Sequence, residues 1–211
     1  QFLVNGEPTE NRLSIGQKGV LGVRISARGK AAHSAYPEEG RSAIEALLRA
    51  LERIRGLSLP ADSLLGGSSL NIGRISGGVA PNVIPAEASA DLLFRTVTSP
   101  ALLLAAIERS VTGEMGFEVT ANSPPVRAPA LAGWDTIVVK YGSDLPHLTE
   151  WGIGYQMGPG TIRVAHTDGE RIRKAELVQA VDLYQRLVIQ LLGRALEVGA
   201  DPVGTPTGTG G

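Results

Sequence analysis

The order in which two hydrophobic periodicities follow one another constrains the fold of this chain more than any other feature. Between residues 19 and 29 every second side chain is apolar, which predicts a half-buried strand. A helix is predicted next, because apolar residues from Ile44 to Ile54 recur at helical spacing and Gly56 ends the run. The chain therefore begins this region with a strand and then a helix.

Two more strand-like stretches, "SSLNIGRI" and "ASADLLFRTV", follow on either side of the Gly- and Pro-rich "SGGVAPNVIP". Ser99 and Pro100 predict the N-cap and first residue of a second helix. "FEVTA" predicts a closing strand. The order β-α-β-β-α-β over residues 19–121 is that of the ferredoxin-like sandwich, in which two helices cover one face of one sheet.

The flanking segments, residues 1–18 and 122–200, predict a second α/β unit. Short strands are expected at "FLV", where the strand is predicted to be buried, and at "VRAPA", "TIVVKYG" and "YQMGPG". A long helix is expected over residues 174–197, with a buried stripe formed by Leu177, Val181, Tyr184, Val188 and Leu191. These few strands need a partner sheet, so we expect the chain to be part of a longer protein. Residues 201–211 predict a disordered tail.

Composition narrows the partners and the cofactors. The 20 basic and 21 acidic residues give no reason to expect a nucleic acid or an anionic membrane as partner. No apolar run reaches the roughly 18–20 residues of a membrane span. Because cysteine is absent, any metal must be held by His, Asp and Glu, which suits zinc, cobalt or manganese. The lack of cysteine also fits the reducing cytoplasm.

Five motifs occur in register along the chain: "GKAAHSAYPEEGRSAIEALLRAL", "NVIP", "GSDLP", "GPG" and "AHTDGE". In this order they resemble the family of two-metal peptidases that contains aminoacylase, acetylornithine deacetylase, succinyl-diaminopimelate desuccinylase and carboxypeptidase G. The resemblance implies a zinc-peptidase α/β catalytic domain that is interrupted by a ferredoxin-like dimerisation domain. It also implies a homodimer, two divalent metal ions and a small N-acylated amino acid as substrate.

The resemblance carries over to five individual residues. Glu7 occupies the position of a carboxylate ligand to one metal, and His166 that of the imidazole ligand to the other. His33 matches the catalytic histidine that reaches into the neighbouring subunit and stabilises the oxyanion of the tetrahedral intermediate. Asn82 and Arg95 match residues that bind polar or carboxylate groups of the substrate. The other metal ligands and the general base of the family lie upstream of residue 1, so we expect this chain alone to be inactive.

Each of these residues also has a structural interpretation. His33 among alanines is typical of a partly buried structural histidine, and His166 could lie in a loop with Asp168 capping the next helix. Glu7 and Asn82 could be turn residues. Arg95 could form a salt bridge with Asp91. The glycines near residue 158 lack the pattern of a nucleotide-binding loop, and we exclude that function.

Two hypotheses of function follow. In the first, the chain belongs to a dimetal amidohydrolase of N-acyl amino acids, similar to acetylornithine deacetylase. In the second, it is a non-catalytic dimerisation or amino-acid-binding module. The first requires a parent sequence with a His-x-Asp pair and a Glu-Glu pair upstream.

Overall fold

The computed structural model describes residues 1–113 and 115–199. The predicted tail, residues 201–211, lies outside the described residues. The regular elements, in chain order, are β1 (Phe2–Asn5), β2 (Leu13–Gln17), β3 (Gly19–Arg28), α1 (Ala43–Arg55), β4 (Ala61–Asp62), β5 (Gly66–Gly67), β6 (Ser69–Gly77), β7 (Glu87–Thr96), α2 (Ala101–Ser110), β8 (Met115–Ser123), β9 (Val126–Arg127), β10 (Thr136–Val139), β11 (Ile153–Gln156) and α3 (Lys174–Gly199). Short 3₁₀ turns occur at Pro37–Glu39, Leu145–His147, Thr149–Trp151 and Ile162–Val164.

The middle of the chain forms a four-stranded antiparallel sheet in the order β6-β7-β3-β8. Helices α1 and α2 join these strands in the predicted β-α-β-β-α-β order. The central strands β3 and β7 pair from Gly19 opposite Thr96 to Arg28 opposite Glu87. The mixed α/β class and the ferredoxin-like arrangement predicted from the periodicity are confirmed.

One hydrophobic core holds this sheet and its helices together. Strands β3 and β7 bury every second side chain toward the helices, as the alternation in the sequence predicts. Helix α1 contributes Leu47, Leu51 and Ile54, which recur at helical spacing and are at most 4% exposed. Ser42 caps this helix by accepting a hydrogen bond from the amide of Glu45 at 3.2 Å.

The predicted N-cap of α2 is wrong by one residue. Pro100, not Ser99, precedes the first helical residue, and no side chain caps the helix. The carbonyl of Pro100 accepts from the amide of Leu104 at 2.8 Å, so the proline already belongs to the first turn. Because proline has no N–H and its φ is near the helical value, it can occupy this position without a capping side chain.

The second sheet has the order β1-β11-β2-β10, with β9 paired to β2. Strand β1 runs parallel to β11 and β10 parallel to β2, whereas β11 and β2 are antiparallel. The side chains of β1 are half-buried rather than buried as predicted. On one face Leu13, Tyr155 and Met157 pack with Leu187 of α3, and each is at most 1% exposed.

Helix α3 faces the sheet with a different stripe from the one predicted. Ala180, Leu187 and Leu191 are buried, and Leu183 and Tyr184 pack beside them. Of the predicted stripe, three residues are exposed: Leu177 by 44%, Val181 by 66% and Val188 by 46%. The apolar residues extend round more than one face, so periodicity alone did not select the buried face. Within the described ranges, no helix is long and apolar enough to cross a membrane.

The β4–β5 hairpin, which precedes β6 of the first sheet, packs against the second sheet. Leu65 at its tip is 3% exposed and fills the space beside Gly16 of β2. Lys18 donates to the carbonyl of Gly67, and Asp62 forms an ion pair with Arg127 of β9. Asp62 also accepts hydrogen bonds from the amides of Leu64 and Leu65, at 2.9 Å and 2.8 Å.

We expect Asp62→Asn to lower the free energy of unfolding near neutral pH. The hairpin amides, and then Arg127, lower the pKa of Asp62, so its charge stabilises the fold above the ordinary pKa of about 3.9. This stabilisation is lost as the pH falls through the lowered pKa of the folded state.

Urea denaturation of the wild type and the variant at about pH 7 and about pH 3 measures the effect, and the difference between the two proteins should be smaller at the lower pH. Asp168→Asn, at an exposed position, is the control. A difference between wild type and Asp62→Asn that is equal at both pH values would contradict the assignment.

Candidate active site

Glu7 lies in the loop that follows β1, against the glycine-rich turn after β11. The carbonyl of Gly158 accepts from the amides of Thr9 and Asn11, at 3.1 Å and 2.8 Å, and the amide of Gly158 donates to the hydroxyl of Thr9. A Cβ atom at Gly158 would lie 2.6 Å from the carbonyl oxygen of Glu7. Only glycine permits this approach, so the "GPG" turn positions the Glu7 loop.

The surroundings of Glu7 are partly buried and acidic. Burial, and then the neighbouring Asp144, raise the pKa of the Glu7 carboxyl above its ordinary value. Tyr141 donates from its hydroxyl to the carbonyl of Pro8 at 3.0 Å. Burial, and then the charge of Glu7, raise the pKa of Tyr141, which therefore stays a neutral donor. Asp144 lies within the motif "GSDLP" and Tyr141 just before it, but neither was predicted to be a site residue.

His166 lies beyond the same turn. The amide of Glu10 donates to the carbonyl of Gly160 at 2.8 Å, and Thr9 bridges to Thr161, which leads through the turn Ile162–Val164 to His166. The His166 backbone has φ of 62°, and its amide donates to the Glu170 carboxylate at 3.0 Å. Asp168 does not cap α3, which begins at Lys174.

The donor chemistry of Glu7 fits a metal ligand. A partly buried carboxylate beside Asp144 is unfavourable when both are charged, and a divalent cation would stabilise the pair. His166 presents an exposed imidazole near the same loops. Among the described residues, no group of three or more His, Asp and Glu side chains is arranged to hold a metal ion. This part of the chain thus offers individual ligands and not a closed metal site.

His33 and Asn82 lie together at the other end of the molecule. They belong to the distal loop pair, which consists of residues 29–36 after β3 and residues 78–86 before β7. His33 bridges to Val83, and the amide of Ser34 donates to the carbonyl of Asn82 at 2.9 Å. The side chains of His33 and Asn82 are both exposed. The antiparallel pairing of β3 with β7 brings the two loops together.

The distal loop pair rests against the start of α1 through a tight contact at Gly29. A Cβ atom there would lie 2.0 Å from the carbonyl oxygen of Arg41 and 3.0 Å from that of Pro85. The amide of Gly29 donates to the carbonyl of Ala86 at 2.7 Å. The loops therefore continue the folded sheet rather than projecting as free chain.

Arg95 lies at the opposite end of the sheet from His33 and Asn82. It pairs with Val20 on β3 and Ser69 on β6, next to the connection between the two sheets. Strand β7 separates Arg95 from Glu87, at the base of the distal loops, by about 27 Å. Asp91 does not pair with Arg95, because Arg24 of β3 binds its carboxylate at 2.7 Å.

The structure thus separates the five predicted site residues into two groups. Glu7, His166 and Arg95 lie on or near the second sheet and its connection, whereas His33 and Asn82 lie on the distal loops. The assigned roles of these residues remain predictions.

Comparison with known proteins identifies the class of domain that the sandwich forms. The ferredoxin-like sandwich matches a peptidase dimerisation domain. Residues 15–117 match the family model of that domain, M20_dimer. The chain therefore contains an M20 peptidase dimerisation domain, and its relatives are M20-type, carboxypeptidase-like proteins.

Two relatives illustrate the match. A peptidase M20 domain-containing protein of Schizosaccharomyces pombe is 39% identical over 192 residues, which cover 90% of this chain and 48% of the relative. A probable carboxypeptidase of Neosartorya fischeri is 37% identical over 216 residues, covering 92% of this chain and 49% of the relative. The chain thus spans about half the length of these curated relatives.

Solved structures agree on the fold. Aminopeptidase PepT of Bacillus cereus superposes with a TM-score of 0.66 and 21% identity, over 87% of this chain and 54% of that one. A tripeptidase of Staphylococcus aureus gives a TM-score of 0.64 and 20% identity, over 84% of this chain and 52% of that one. At these identities the likeness establishes the fold alone.

Proposed function

We propose that this chain is part of a metal-dependent hydrolase that cleaves an amide bond next to a carboxylate-bearing residue and works as a homodimer. Each active site combines residues of two subunits. Arg95 and Glu7 act within one subunit, and His33 and Asn82 act in the site of the partner. N-acyl amino acids, as in acetylornithine deacetylase, and short peptides, as the carboxypeptidase names of the relatives suggest, are the substrate classes.

One observation carries this proposal: the separation of His33 and Asn82 from Arg95 along β7. A single small substrate cannot contact both ends of a strand about 27 Å long. The distal end carries His33 and Asn82, which are suited to bind an amide, and the opposite end carries Arg95, which is suited to bind a carboxylate. A symmetric dimer resolves the conflict, because the distal loops of one subunit can reach the Arg95 end of the other.

The chemistry assigns a distinct task to each group. Arg95 can bind the substrate carboxylate through two parallel hydrogen bonds. The ring of His33 can donate a hydrogen bond to the carbonyl oxygen as negative charge develops on it. When bound, with Glu7 and His166 among their ligands, the metal ions would supply a water of lowered pKa. Asn82 can orient the amide.

The exposed surface of α3 supports the part of the proposal that concerns a longer protein. Val178, Val181, Ile189 and Leu192 are each at least 60% exposed on a helix whose Leu187 and Leu191 pack against the second sheet. The relatives are about twice as long as this chain. In a longer protein this apolar surface would be covered by the rest of the polypeptide.

Mixed dimers test the arrangement. In the full-length protein, His33→Ala and Arg95→Ala should each abolish most activity. If the two residues serve different subunits' sites, a mixed dimer contains one site with both residues intact and one site with neither. Co-refolding equal amounts of the two variants should then restore about a quarter of the wild-type activity.

The pair His33→Ala and Asn82→Ala is the matched control. Both residues lie on the distal loops, so every site in their mixed dimer keeps one defect and activity should not return. Restoration in the control, or none in the test pair once mixed dimers are verified by native mass spectrometry, would reject the proposed arrangement. Absence of hydrolysis in the wild type, assayed with N-acetyl amino acids and dipeptides, would favour the non-catalytic module.

A further inference from the structure

We propose that the backbone N–H of Ala35 is a positioning group that holds the His33 ring in its Nε2–H form. This N–H lies 3.1 Å from Nδ1 of the ring, on the side of the loop. A nitrogen that accepts a hydrogen bond must present its lone pair, so Nδ1 carries no proton. The one proton of the neutral ring is then on Nε2, and this nitrogen can only donate.

The geometry of the loop fixes the Ala35 amide in place beside the His33 ring. The amide of Tyr36 donates to the carbonyl of His33 at 2.9 Å, which forms a tight turn that aims the Ala35 amide at the ring. The Tyr36 ring meets the His33 ring edge-on at 6.4 Å between centroids. On its other side the turn is fixed by the hydrogen bond from Ser34 to Asn82.

A fixed tautomer has a chemical consequence for the partner's site. A free imidazole exchanges its proton between the two nitrogens, so part of the population would present a lone pair toward an approaching carbonyl oxygen. The Ala35 contact reduces that population and favours an N–H at the exposed end of the ring. The effect on turnover rests on the proposed function, whereas the tautomer is a property of the ring itself.

NMR on the ¹⁵N-labelled 211-residue chain measures the tautomer directly. At about pH 8.5, where free imidazole is neutral, long-range ¹H–¹⁵N correlations distinguish a protonated from an unprotonated ring nitrogen. His147→Gln and His166→Gln variants assign the signals. We expect the Nε2–H pattern for His33. An Nδ1–H pattern, or an equal mixture of the two forms, would overturn the proposal.

Ala35→Pro removes the donor and Ala35→Gly retains it. Loss of one hydrogen bond should lower the ratio of the Nε2–H to the Nδ1–H form by about fivefold in the proline variant, with little change in the glycine variant.

Because proline can disturb the loop, acid titration of the wild type provides a second measurement. The Ala35 amide signal should shift with the same midpoint as the His33 ring, since protonation of Nδ1 breaks the bond. An Ala35 amide that does not follow the ring would overturn the proposal.

The outcomes separate this inference from the proposed function. An Nε2–H ring in a protein whose His33→Ala variant keeps full turnover would support the positioning role and reject the catalytic one. A mixture of the two tautomers in a protein whose turnover depends on His33 would reject the positioning role of Ala35 and support the catalytic role of His33.

Discussion

Replacing His33 by alanine in the full-length dimer is expected to lower kcat by about 10²–10³-fold, the effect of removing one oxyanion donor. KM should change little, because the proposed hydrogen bond strengthens only as charge develops on the carbonyl oxygen. Metal content should also stay unchanged, since His33 lies on the distal loops away from Glu7 and His166. Steady-state kinetics and metal analysis on the same preparations measure these quantities.

His147→Ala is the matched control for this substitution. His147 is an exposed histidine in the turn Leu145–His147 and has no assigned role. Its removal should leave kcat within about twofold of the wild type. Normal turnover of His33→Ala, or an equal loss in both variants, would exclude the proposed donor.

Replacing Phe94 by alanine is expected to lower the free energy of unfolding by about 3–5 kcal/mol. Phe94 is fully buried in the central strand β7, where it pairs with Leu21 on β3 and Leu70 on β6. The truncation loses the buried area of the ring and leaves a cavity that strands on both sides prevent from closing. Urea denaturation at a fixed protein concentration measures the loss.

Ile75→Ala on β6 is the control for the core. Its side chain is 54% exposed, so its truncation should cost less than about 0.5 kcal/mol. The concentration is kept constant because the proposed dimerisation would add to the apparent stability. Equal denaturation midpoints for Phe94→Ala and Ile75→Ala would contradict the placement of the core.

Local patterns predicted much of the fold. Alternation in β3 and β7 and helical spacing in α1 are properties of neighbouring residues, and each element buries the side chains that its own period selects. The order of these elements was then enough for the ferredoxin-like arrangement. The N-cap of α2 was misplaced by one residue, because serine and proline in sequence leave open which of them begins the first turn.

Contacts between different elements, such as the ion pair of Asp91 and the buried face of α3, could not be predicted in the same way. Arg95 and Asp91 lie four residues apart on one strand, a distance of about 13 Å, whereas a residue directly opposite on the next strand is only about 5 Å away. Asp91 binds Arg24, which faces it across the pair of strands. The buried face of α3 was also missed, because apolar residues surround the helix and only contact with the second sheet selects Leu187 over Val188.

Short-range periodicity and composition were enough to predict the β-α-β-β-α-β order and the types of residue available for chemistry. The folded chain was needed to show that His33 and Asn82 meet on the distal loops while Arg95 lies at the far end of β7. This is because strand register joins residues that are distant in the chain and separates residues that are near in it.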